Sequence, residues 1–179
     1  IKVRITAKAE NDAAAAEILA AEEALIRDLL GDVIFGVDEE TMESVVLDQL
    51  RHRNMTLAAA EHLTGGILAT RMTALDPKQE IFRGSIVAPH DPENLKIPGE
   101  KRAAAAAQSA RAHFGTDLGI AALLPEDTED YPPGTVFIAI SMQGTRISRS
   151  VTLPGALSRI RSYAVISLLD YLRKTLAEG

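Results

Sequence analysis

The stretch that most restricts the fold is residues 55–73, Met-Thr-Leu-Ala-Ala-Ala-Glu-His-Leu-Thr-Gly-Gly-Ile-Leu-Ala-Thr-Arg-Met-Thr. Residues 57–60 form a short apolar run with the length of a buried strand. Thr64 stands where a helix should begin, and Ile67, Leu68 and Met72 follow at helical spacing. Glu61, His62, Leu63, Gly65 and Gly66 lie in and around the turn. A strand that turns through small residues into a helix leaves N–H groups that no helical carbonyl can satisfy. Those donors and the helix dipole attract phosphate or carboxylate, and glycine lets a ligand approach the backbone. Two readings stay open here: an anion cradle, or a strand–turn–helix with an ordinary Thr64 cap.

The rest of the chain says what surrounds this turn. No apolar run approaches the ~20 residues that cross a bilayer, and no signal-peptide pattern opens the chain. The absence of cysteine removes disulfides and thiolate metal sites, and suits a cytoplasmic location. The chain opens at Ile1 within an expected strand and without Met, which reads as a piece of a longer protein. Residues 1–40 hold four Lys/Arg against ten Asp/Glu, the reverse of the basic stripe that phosphate neutralisation requires, so nucleic acid is not an expected partner. No membrane partner is expected either.

Residues 2–8 alternate polar and apolar and read as a half-buried strand. Asn11 or Asp12 caps a helix to Leu30 with Ile18, Ala21, Leu25 and Leu29 as its core-facing stripe, Gly31 ends it, and residues 33–35 form a second strand. Residues 1–37 are thus expected to be a small β-α-β subdomain and residues 38–179 the main domain. From residue 38 the pattern runs helix, strand, helix, strand, helix, strand, strand, strand, helix, with the last two strands joined at Gln143-Gly144. That order predicts an α/β fold, a three-layer α-β-α sandwich around a mixed sheet with an antiparallel pair at its edge. Expected helix faces are Met42, Val45, Val46, Gln49 and Leu50 in the first, and Leu157, Ile160, Ala164, Leu168, Leu172 and Leu176 in the last. The acidic loop with Glu126, Asp127, Glu129 and Asp130 lacks the glycine turn and distal acid of a Ca²⁺ loop, and His52, His90 and His113 lack ligand spacing. No metal or cofactor is expected.

Residues 56–66 resemble the signature of the CinA C-terminal domain family, the nicotinamide mononucleotide deamidase module, whose usual form is Ala-Glu-Ser-x-Thr-Gly-Gly after an apolar strand. Residues 133–139 resemble the family's later Thr-Val strand, and Arg159-Ile160-Arg161 its last helix. The resemblance covers residues 38–179. Residues 1–37 resemble the KH-like linker that precedes this module in full-length CinA proteins, although they contain no Gly-x-x-Gly loop. It implies a homo-oligomer, a phosphate-containing small molecule as ligand, and a molybdopterin-binding-like domain earlier in the same longer chain.

Several positions depart from the family's pattern. The nucleophilic serine after Glu61 is replaced by His62, the tyrosine after the next strand by Pro89, and the first arginine of the last helix by Leu157. The glycine-rich loop after the fourth strand is here Ala122-Leu123-Leu124-Pro125-Glu126. Acyl transfer needs its nucleophile beside a base, and losing one member of such a unit costs orders of magnitude in rate. The expected function is therefore a non-catalytic ligand-binding or assembly module that keeps Glu61, His62, Thr64, Gly65, Gly66 and Arg161 around a phosphate. The alternative is an active amidohydrolase using substituted groups, with Thr64 or a water activated by His62.

Overall fold

The computed structural model describes residues 2–88, 99–125 and 130–178. The chain divides into two compact units, Ile1–Asp38 and Glu39–Gly179.

The first unit contains helix α1, Asp12–Leu30. The Asn11 side chain accepts from the Ala14 N–H at 2.9 Å, and Gly31 ends the helix at a φ of 54°. The strands expected at 2–8 and 33–35 are absent; Gly31–Val33 is instead a 3₁₀ turn. A strand exists only through its ladder, and neither segment finds a partner. The β-α-β subdomain expected from the sequence is therefore not formed among the described residues. The expected core stripe of α1 is also corrected: no residue of the helix is buried, and Leu29 is 84% exposed. So short a unit has too little chain to cover a five-turn helix.

The second unit is the expected α/β sandwich. Helix α2, Met42–His52, opens with a capping box in which Thr41 and Ser44 exchange side-chain bonds with each other's N–H. Strand β1, Leu57–Glu61, helix α3, Ile67–Leu75, strand β2, Phe82–Ile86, and helix α4, Gly99–Phe114, follow. Strands β3, Leu118–Leu123, β4, Thr135–Met142, and β5, Thr145–Thr152, lead to helix α5, Leu157–Glu178. The sheet order is β2-β1-β3-β4-β5, parallel from β2 to β3 and antiparallel from β3 to β5.

The two faces of the sheet differ in bulk. Ala58, Ala60, Ala121 and Ala139 meet Ala103, Ala106, Ala107 and Ala110 of α4 in one cluster. Small residues on both sides bring the helix close to the strands. At Gly119 an added Cβ would lie 2.0 Å from the Ala107 carbonyl oxygen. Alternation sends the larger neighbours, Leu57, Ile120, Ile138 and Ile140, to the opposite face, where α5 lies against β3 and β4 and also meets α2 and α3. On α2 the buried face is Met42, Glu43, Val46, Leu47 and Leu50, shifted from the expected one because the helix meets α3 as well as α5. On α5 the expected stripe is buried from Ile160 to Leu176, whereas Leu157 is exposed in the first turn.

Among the described residues no helix is long and apolar enough to cross a membrane.

Candidate ligand-binding site at the start of helix α3

Glu61 ends β1 and alternates onto the same face as Leu57 and Ala59, the face against which α3 is laid. Its side chain is fully buried. Oε2 accepts from Thr64 Oγ1 at 2.8 Å, the Gly66 N–H at 2.9 Å and the Leu68 N–H at 3.0 Å. Oε1 accepts from the Ala69 N–H at 2.9 Å. The carboxylate thus fills the donors that the start of α3 leaves open. Charge-assisted bonds and the positive end of the helix dipole offset the cost of burying a charge.

This arrangement corrects the expected helix start. The cap of α3 is Gly66, at a φ of 91°, and Thr64 donates its hydroxyl to Glu61 instead of accepting from the helix. A full charge on a longer side chain outcompetes a neutral hydroxyl for the same N–H groups. Gly65 also has a left-handed φ, 60°, and among the described residues nothing lies within 4 Å of where its Cβ would be. Backbone conformation, not crowding, requires glycine there. The anion cradle expected for a ligand is therefore largely occupied by the chain's own carboxylate.

What remains open lies one turn further along. A shallow cavity of about 340 Å³ is lined by Gly65, Gly66, Ile67, Thr70 and Arg71. Ile67, Thr70 and Arg71 share one side of α3 at i, i+3 and i+4 spacing. Arg71 is half-buried and its Nη1 lies 3.2 Å from Oε1 of Glu43, which is buried on α2. Thr70 Oγ1 donates to the Gly66 carbonyl at 2.8 Å. The sequence reading missed Arg71 and Glu43; the spacing from Ile67 was the available signal.

The other expected site residues are spread out. His62 is half-exposed between the buried Glu61 and Leu63, whose N–H continues the ladder to the Ala122 carbonyl at 3.2 Å. Arg161 is exposed on α5, and its side chain makes no hydrogen bond or ion pair among the described residues, so no contact draws it to Glu61. Pro89 lies outside the described residues, as do Glu126, Asp127 and Glu129 of the acidic loop. Among the described residues no three His, Cys, Asp or Glu side chains gather as metal ligands.

Two further carboxylates hold connections at the opposite end of the sheet, where β1, β2 and β3 begin. Burial alone would raise the Asp76 carboxyl, but the N–H groups of Phe82, Ile81 and Glu80 outweigh it and hold it below the usual carboxylate range. The Thr56 hydroxyl and N–H, each at 2.7 Å, hold Asp117 below that range as well. Asp76 fixes the α3-to-β2 connection, and Asp117 ties the start of β3 to that of β1.

The family model of the CinA C-terminal domain matches residues 39–96 and 89–176. A CinA-like protein of Frankia casuarinae is 37% identical over 98% of this chain and 44% of its own length. A CinA-like protein of Dictyoglomus thermophilum is 33% identical over 97% of this chain and 46% of its own. A putative competence-damage inducible protein of Moorella thermoacetica is 33% identical over 98% and 47%. The chain spans somewhat under half the length of these relatives. A crystal structure of a competence-damaged protein (CinA) superfamily protein from Klebsiella pneumoniae superimposes with a TM-score of 0.69 at 22% identity, covering 78% of this chain and all of that one. A competence/damage inducible protein from Agrobacterium tumefaciens gives 0.67 at 18% identity, over 80% and 98%. At these identities the two structures speak for the fold alone.

Proposed function

The chain belongs to the CinA C-terminal domain family, and from that premise we propose that it is a non-catalytic member that keeps the scaffold and a small-molecule pocket while nicotinamide mononucleotide deamidation has been lost. One observation carries this reading. The hydroxyl and carboxylate that survive from the motif, Thr64 and Glu61, are bonded to each other and to the first turn of α3, and Thr64 is only 2% exposed. They fasten a helix and present no nucleophile to the cavity. An amide carbonyl carbon in the cavity would need an oxygen or sulfur nucleophile next to a proton acceptor. The position after Glu61 offers an imidazole instead, and Thr70 spends its hydroxyl proton on the Gly66 carbonyl.

The cavity retains what binding needs. Arg71 supplies a guanidinium, a residue type suited to phosphate through its fork of donors, and the glycine backbone, bare of side chains, gives close approach. A phosphate-bearing nucleotide or sugar is the ligand class that fits. Assembly into a homo-oligomer, and service to a further domain of the same longer chain, belong to this reading as the role such a module would play.

The test is incubation of the protein with nicotinamide mononucleotide, following ammonia, for the natural sequence and for His62→Ser. The natural protein is expected to release none above the uncatalysed rate while binding the nucleotide measurably by calorimetry. Arg71→Met should weaken that binding by about tenfold, the loss of one charge-assisted contact. Release that disappears in Thr64→Ala would instead favour the reading in which substituted groups still hydrolyse the amide.

A further inference from the structure

The opposite end of the sheet holds a second polar cavity. Strand β4 runs antiparallel to β3, so the turn after Met142 lies at the end of the sheet away from Glu61. There a cavity of about 140 Å³ is lined by Gln108 and Arg111 of α4, Ser141 at the end of β4, Gly144 in the turn, and Arg146 at the start of β5. Ser141 and Arg146 are cross-strand partners, so their side chains leave the sheet on the same face. That face is the alanine face, since Ser141 follows Phe137 and Ala139 by twos. Gln108 and Arg111, three apart on α4, look down on it from above.

The polar atoms here are unfinished. Ser141 is 1% exposed, and its Oγ has no hydrogen-bond partner among the described residues. Arg111 Nε is buried and also has none among them. Arg146 donates from Nη1 to the Gln108 Oε1 at 2.7 Å, a neutral acceptor. Neither arginine forms an ion pair with a carboxylate among the described residues. The acid whose charge reaches Arg111 is Asp117, and its Oδ2 is turned to Thr56. Buried donors without acceptors destabilise a fold, and proteins seldom keep them without use. The room is several times a water molecule's share of about 30 Å³.

We propose that Arg111, Arg146 and Ser141 form a binding site for a phosphate group, separate from the cavity at α3 and independent of the function proposed above. Two guanidiniums without a carboxylate supply the charge and a fork of N–H donors, and the serine hydroxyl supplies a short, directional donor from the floor. Filling the site satisfies Arg111 Nε and Ser141 Oγ together. It also bridges α4 to the β4–β5 turn, so the bound anion stabilises the folded state by mass action. The size of the cavity suits inorganic phosphate or the end of a small phosphate monoester, with the remainder of the ester outside.

The experiment titrates the full chain with inorganic phosphate, and separately with glycerol 3-phosphate, at ionic strength matched with chloride, reading the thermal midpoint. The midpoint is expected to rise with phosphate beyond the chloride control. Arg146→Met, an exposed position whose change should leave the fold intact, is expected to weaken the apparent affinity about tenfold or more. Arg111→Met and Ser141→Ala should weaken it in the same direction. Without phosphate, Ser141→Ala should be no less stable than the natural protein, because it removes an unsatisfied buried hydroxyl. A similar response to glycerol 3-phosphate identifies a monoester end, and a response to inorganic phosphate alone identifies the free ion. No rise beyond chloride overturns the proposal. A rise that Arg71→Met abolishes while Arg146→Met and Arg111→Met leave it unchanged also overturns it, and assigns the anion to the cavity at α3.

Discussion

Glu61 shows how one side chain can decide what a motif does. A carboxylate that accepts from a hydroxyl and three backbone N–H groups is a structural part, and its removal should be felt in stability. Glu61→Gln keeps one acceptor oxygen but turns an NH₂ toward a helix N–H, which is expected to cost about 2 kcal/mol or more. Thr64→Ala deletes one donor of the set and should cost only about 1 kcal/mol. Urea denaturation of both variants checks the order; equal losses, or none, would place the helix cap elsewhere. At this scale the sequence was partly legible. The glycines, the strand end and the helix start could be read from residues 55–73. The identity of the cap could not, because Thr64 and Glu61 both qualify and only the side-chain register of β1 decides between them. Arg71 was passed over because its partner, Glu43, comes from α2, far away in sequence.

At the scale of elements, the order and type of every strand and helix from α2 to α5 were readable, because each combines a clear period with a glycine, proline or polar stop. The alanines of α4, Ala103, Ala106, Ala107 and Ala110, lie close on a small-residue sheet face. Gly119 is where that closeness is tightest. Gly119→Ala is expected to destabilise by about 1–3 kcal/mol or more, because backbone on α4 must move to admit one methyl group. Ala105→Gly, a residue of α4 outside the alanine cluster, should cost only about 1 kcal/mol through helix propensity. Comparing the two urea midpoints separates crowding from propensity. The failures fall in the first unit. Residues 2–8 carry a strand's alternation and residues 33–35 a short apolar run, yet such patterns describe only what a strand would bury and say nothing of a neighbour for its ladder. The stripe on α1 has the right spacing for a core and no core within its unit.

Across the whole molecule the buried apolar residues begin at Met42, so the stability of the described structure resides in the second unit. Deleting residues 1–38 is expected to leave a cooperative thermal transition close to that of the full chain; loss of that transition would show that the first unit supports the second. Acid should loosen the same unit through Asp76 and Asp117. Both carboxyls are held below their ordinary values, so the stability they contribute is fully present above the unfolded value of about 4 and is lost as the pH falls through their depressed folded values. Asp76→Asn should therefore flatten the fall of the thermal midpoint below about pH 4, compared with the natural protein. An unchanged slope would mean that other carboxylates govern acid unfolding. These acids secure the end of the sheet where β1, β2 and β3 begin, whereas at the other end Glu61 binds the first turn of α3, where the motif has become a fastening. The most direct test is chromatography of nicotinamide mononucleotide after long incubation with concentrated protein. Intact substrate is expected, with the same trace of product as in buffer. Nicotinic acid mononucleotide accumulating in proportion to protein, and ceasing in Thr64→Ala, would contradict it.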